Sequence, residues 1–177
     1  PEPPFIGQTI AIQNLPSSGV NLSVQLLKAA LLVVNDDTSR QFEDYFTASL
    51  TRLERSCFVW RTVERGVPDS TVFSEFPAPC TVIWYTGNSS DSVLSGSEQS
   101  ELSRLLDRGG RLLLTGQNIV EKSASHALLA DYLGVGFQAN VTTPLATGVA
   151  NDPIGNGLLI STVGGAGNQI SRDALTI

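Results

Sequence analysis

The apolar residues of this chain gather into short runs separated by stretches of helical period. Residues 29–34, 81–85 and 111–114 are each nearly continuous in apolar or β-forming residues, and each run stops at small and polar positions. Runs of that kind read as strands of a parallel sheet, buried on both faces, that deliver their final residues to one edge. Residues 57–61 predict a further short strand and residues 136–141 a fifth. Between the first two, Phe42, Phe46, Leu50 and Leu53 recur at helical spacing, with Glu43, Asp44 and Arg52 off that face. The pattern predicts an amphipathic helix over 39–55, opened by Thr38 and Gln41 at capping-box spacing.

A second capping box, Ser95 with Glu98, opens a helix whose stripe is Leu102, Leu105 and Leu106 and whose stop is Gly109 or Gly110. A third helix is expected over 124–133, with Ala127, Leu128 and Leu129 toward the sheet and Gly134 as its end. Residues 65–79 hold three prolines and read as an irregular connection. Beyond Thr142 the pattern weakens: 158–160 is a weak strand signal and 164–168 a loop. Residues 1–25 differ, alternating around Pro16-Ser17-Ser18-Gly19, as a hairpin or a linker from a preceding domain would. The expected architecture is α/β: a three-layer sandwich over residues 26–177, its mainly parallel, flavodoxin-like sheet ordered 2-1-3-4-5, with an added N-terminal β segment.

Composition changes the picture in one respect. Charged residues make up 16% of the chain, against about 25% in ordinary soluble domains. Ser, Thr, Asn, Gln and Gly fill the difference, a balance common in extracellular and cell-surface proteins. The net charge of −6 offers no basic footprint for nucleic acid, and no run is long and apolar enough to predict membrane insertion. A chain that begins with Pro and contains no Met is expected to be a piece of a longer precursor, with other domains of that precursor as partners. The thiols Cys57 and Cys80 fall near the starts of strands on either side of a common neighbour, about 10 Å apart. That is beyond the roughly 7 Å a disulfide spans, so buried free thiols are expected ahead of the disulfide that an extracellular location would permit.

The three strand ends place Asn35, Asp36, Asp37, Thr86, Gly87, Asn88, Gly116, Gln117 and Asn118 on one rim. Two readings fit those residue types. One is a polar crevice for a small molecule or glycan, with a hard cation on Asp36 and Asp37 as a variant. The other is that the same side chains make Asx turns and helix caps. Catalytic templates fit poorly. A phosphate loop needs a Gly-rich turn and a Lys, and a dinucleotide fingerprint needs glycines where NDDTSR stands. The nucleophile position of a strand-to-helix elbow is held by Gln117. His126 is the only histidine, which leaves a nucleophile one base at most and zinc no ligand set. No cofactor is implied. Trp60, Trp84, Tyr45 and Tyr85 could serve a sugar-stacking surface or simply pack in the core. The sequons at Asn21, Asn88 and Asn140 matter only where the source glycosylates them.

Taken in order, LLVVNDD, FEDYFTASL, VIWYTGN, LSGSEQSELSRLLDRGGRLLLTGQNI, LLADYLGV and DPIGNGL resemble a domain of large secreted bacterial multidomain proteins. That domain is similar in fold to class I glutamine amidotransferases, and the resemblance covers residues 26–177. It implies a flavodoxin-like sandwich. Amidotransferases carry a catalytic Cys at the elbow after the strand matching 111–114 and a His late in the chain. Here Gln117 stands at the elbow and no histidine follows His126. The implied role is a non-catalytic module for ligand or partner interaction, or a spacer; the alternatives are a metal-dependent domain using the acidic pair and a carbohydrate-binding module.

Overall fold

The sequence LLVVN forms the strand Leu31–Asn35 (β1), whose five residues are all buried. Having no polar side to offer water, it must be covered on both faces and paired on both edges. Its partners are Cys57–Arg61 (β2) and Thr81–Gly87 (β3), and Arg111–Gly116 (β4) pairs with β3. All three pairings are parallel, in the order β2-β1-β3-β4. The computed structural model describes residues 29–37, 42–91, 93–123, 127–164, 169 and 171–177. The expected N-terminal hairpin, the capping box at Thr38 and Gln41, His126, and the loop at 165–168 lie outside them.

Alternate residues of the strands serve opposite layers. Leu31, Val33 and Tyr85 face the helix Glu43–Arg52 (α1), where Leu50 is buried and Phe46 stacks on Tyr85 at 4.8 Å between ring centroids. Leu32, Val34, Val82 and Trp84 face the other layer. That layer is built on Gly96–Asp107, numbered α4 because two short helices precede it. Its Ser95–Glu98 capping box is complete, Leu102 and Leu105 are buried, and Gly109 at φ 76° ends it. The α/β sandwich and the order of the first four strands are as the sequence implies.

Several details differ. The helix α1 ends at Arg52, which leaves Leu53 69% exposed rather than on the buried stripe. The connection expected to be irregular holds Thr62–Arg65 (α2) and Ser70–Ser74 (α3). Its prolines lie outside both helices, and the Asp69 side chain accepts from the Thr71 and Val72 N–H groups to start α3, which buries Phe73. After β4 the chain turns at once into Ile119–Ser123 (α5), and a π-helical turn at Leu128–Tyr132 buries Leu128 and Leu129, while Ala127 is exposed.

The expected fifth strand, Gly136–Asn140 (β5), does not join the parallel sheet. The segment GFQAN alternates and is half wet, which is the pattern of a ribbon and not of a doubly covered strand. It pairs antiparallel with the last strand, Asp173–Thr176 (β8). Between them Leu145–Thr147 (β6) and Leu159–Ser161 (β7) form a second antiparallel ribbon. One carboxylate ties this region to the sandwich: Asp173 Oδ2 accepts from the Val120 and Glu121 backbone N–H groups, each at 3.1 Å.

Replacing Asp173 by Ala leaves those N–H groups unpaired, a loss of about 1–2 kcal/mol. Amide exchange should rise together in residues 119–123 and 136–140, with little change in β1; unchanged exchange in both segments would show that the carboxylate is not the tether.

Candidate functional site at the carboxyl edge of the sheet

The parallel register sets Asn35 level with Arg61 on one side and Tyr85 on the other. These three side chains converge on Glu43 at the start of α1. Glu43 Oε2 accepts from Asn35 Nδ2 and from the Tyr85 hydroxyl, each at 3.0 Å, and Oε1 accepts from Arg61 Nε at 2.8 Å and from Arg61 Nη2. Burial opposes ionisation of Glu43, but its own backbone N–H, Arg61 and Tyr85 outweigh it and hold the carboxyl below its usual range. Burial, then the Glu43 charge, raises the Tyr85 phenol. This knot fastens α1 to three strands.

The acidic pair that follows β1 is divided between two tasks. Asp36 Oδ1 accepts from the Thr62 hydroxyl at 2.8 Å and Oδ2 from the Trp84 indole N–H at 3.2 Å. Burial and the neighbouring Glu98 push its carboxyl from 3.8 up to about 7, against the lowering effect of those two donors. Asp37 is buried, and its Oδ2 accepts from the Asn88 N–H at 3.2 Å. Gly87 sits directly against it at φ 57°: a Cβ there would lie 1.7 Å from Asp37 Oδ2. Glycine is required at that position both by conformation and by contact. Among the described residues no three His, Cys, Asp or Glu side chains gather as a metal ligand set.

At the elbow after β4, Gly116 presses its backbone onto the buried Thr86 hydroxyl, which has no hydrogen-bond partner among the described residues. Gln117 is 3% exposed. Its Nε2 donates to Asn88 Oδ1 and its Oε1 accepts from the Ser171 N–H at 2.9 Å. The left-handed backbone of the turn falls one residue later, on Asn118 at φ 59°, whose Nδ2 donates to the Ser89 carbonyl at 3.1 Å. Asn tolerates that conformation better than other residues with a side chain.

Two cavities flank the end of β4, and they divide the rim residues. The smaller, of about 170 Å³, lies on the α1 side and is lined by Tyr45, Tyr85, Gly87, Asn88 and Gly116 among others. The larger, of about 520 Å³, opens between β4 and the two ribbons and takes in Gly116, Gln117 and Asn118. Asp36, Asp37 and Thr86 line neither. Its apolar walls include Leu129, Leu133 and Val135, and its charged lining residues are Arg172 and Asp173. Sequence reading missed that pair, because the ribbons that carry it have short strands with weak periodicity.

The four aromatics do not form one surface. Trp84 and Tyr85 are buried on opposite faces of β3, Trp60 donates its indole N–H to the Gly66 carbonyl at 2.8 Å, and only Tyr45 is well exposed. Cys57 and Cys80 are free thiols, both raised in pKa by burial, Cys80 to about 11. Compared with protein-family models, curated proteins and solved structures, the chain has no match.

The raised Asp36 carboxyl gives stability a definite sign with pH. Below about pH 4 both folded and unfolded chains hold the proton; between there and about pH 7 only the folded chain does, so this contribution is lost as pH rises through that window. Asp36→Asn should therefore gain on the parent by about 1–2 kcal/mol between about pH 4.5 and about pH 8, a figure reduced because the group is only partly buried. Urea unfolding of both proteins at the two pH values measures it, and a difference independent of pH would refute the assignment.

Proposed function

We propose that this chain is a non-catalytic, amidotransferase-like binding module of a secreted or cell-surface multidomain protein. The observation that carries the reading is the use made of Gln117. At the turn where a catalytic relative of this fold would present a nucleophile, the side chain is buried and its amide is engaged at both ends, by Asn88 and by Ser171. A carboxamide is a poor nucleophile, and one so held serves as a strut between the β3 and β4 ends and the C-terminal ribbon. The rest of the rim behaves likewise: Asp36, Asp37 and Asn118 each support a neighbouring loop or side chain.

The strut nevertheless forms part of the wall of an open cavity of about 520 Å³. Ligand sites commonly occupy about 300–1,000 Å³ and are apolar with a few placed polar groups. Binding without turnover is the function this combination supports. The charge-poor composition, with 16% Asp, Glu, Lys and Arg, supports the extracellular setting, and the small polar residues that replace them suit a module displayed among others.

Parent and Gln117→Ala proteins, assayed against glutamine, p-nitrophenyl acetate and casein, should show no turnover above buffer. The variant should lose about 1–3 kcal/mol of stability, because Ser171 N–H and Asn88 lose a partner. Turnover by the parent that disappears in Gln117→Ala would overturn the reading.

A further inference from the structure

The cavity between β4 and the ribbons contains a cation with an unfinished hydrogen-bond set. Arg172 is partly buried, and its Nε donates to the Thr162 hydroxyl and its Nη2 to the Gln169 carbonyl, the latter at 2.7 Å. Both partners are neutral. None of the salt bridges among the described residues includes Arg172, although Asp173 is next in sequence. Asp173 instead commits its Oδ2 to the first N–H groups of α5. Nη1 of Arg172 has no partner among the described residues. A guanidinium carries five N–H donors in a planar fork that matches a carboxylate. The two bonds it does make fix the plane of the fork and leave one nitrogen and its protons uncommitted.

The surroundings favour a ligand with an apolar body. Leu129 is almost fully buried, and Leu133 and Val135 pack at the edge of the main core. Together with Leu114 they line the cavity with aliphatic side chains. Asn118 and Ser171 are uncharged polar lining residues near the elbow, and the one anionic lining residue, Asp173, has its Oδ2 engaged by the α5 N–H groups. An anion in such a partly desolvated site interacts with Arg more strongly than it would at an open surface.

Building on the binding-module reading, we propose that this cavity takes a small monocarboxylic acid with a compact aliphatic or aromatic body, its carboxylate on Arg172 and its body on the Leu129–Leu133–Val135 wall. The neutral counterpart of such a ligand finds the same wall but leaves Arg172 unsatisfied, so discrimination rests on the guanidinium. The site reads the acid group first and tolerates variation in the body, because apolar contact with an aliphatic wall is non-directional.

Titration calorimetry of the full chain with 3-phenylpropanoate and with the neutral 3-phenylpropan-1-ol tests the assignment. The acid should bind roughly tenfold more tightly than the alcohol. Arg172→Gln should weaken the acid by roughly tenfold and leave the alcohol within about twofold. Ala146→Trp, at an exposed lining position, should block both ligands while the melting temperature stays that of the parent. Equal affinity for acid and alcohol, acid binding unchanged by Arg172→Gln, or no binding of either by the parent would overturn the proposal. The comparison of acid with alcohol on the parent decides the matter even if Arg172→Gln folds poorly. The binding-module reading fails by a different route, through Gln117-dependent turnover, so the two failures are distinguishable.

Discussion

The burial of β1 on both faces is the constraint from which the rest of the molecule follows. Leu32, Val33 and Val34 are fully removed from solvent, and each such side chain contributes about 1.5–3 kcal/mol when buried. That gain is available only if one layer covers Leu31 and Val33 while another covers Leu32 and Val34. The three-layer arrangement, with α1 on one side and α3 and α4 on the other, is the way this chain meets the requirement. Parallel pairing then sends the polar ends of β1, β3 and β4 to a single edge.

At that edge the polar groups are largely spent on one another. Glu43 gathers Asn35, Tyr85 and Arg61; Asp36 gathers Thr62 and Trp84; Gln117 joins Asn88 to Ser171. Buried polar groups are costly unless paired, and once paired they hold a loop rather than wait for a ligand. The edge thus keeps the geometry of a site while its central residues act as fasteners. What remains open is displaced sideways, to the space between β4 and the ribbons.

The C-terminal third is held differently from the sandwich. Val149, Ile154, Leu159 and Ile160 are all exposed, so the β6–β7 ribbon gains little from burial. The neighbouring β5–β8 ribbon packs Phe137 at the edge of the core and is tied by directed contacts, Asp173 on α5 and Ser171, just before β8, on Gln117. Two-stranded ribbons are marginal by themselves, which makes these few hydrogen bonds weigh more here than similar bonds do within the sheet.

By itself the sequence determined the elements whose signals are local and strong. Short runs of apolar and β-forming residues specified the four parallel strands, although only β1 is buried along its whole length and Leu113 of the edge strand β4 is 55% exposed. Ser95 with Glu98 specified the start of α4, because both capping partners lie within one turn. The rim residues Asp36, Asp37, Gly87, Gly116 and Gln117 were legible as strand ends because those runs stop there, as was the absence of a nucleophile at the elbow. Only the tertiary structure decided what those residues do and where the open space lies. The start of α5 is capped by Asp173 from more than fifty residues away, β5 finds its partner in β8, and Gln117 is satisfied by Ser171. Arg172 reaches the cavity through the same long-range pairing. Contacts of that separation leave no periodicity in the sequence, since either partner alone reads as an ordinary polar residue in a loop.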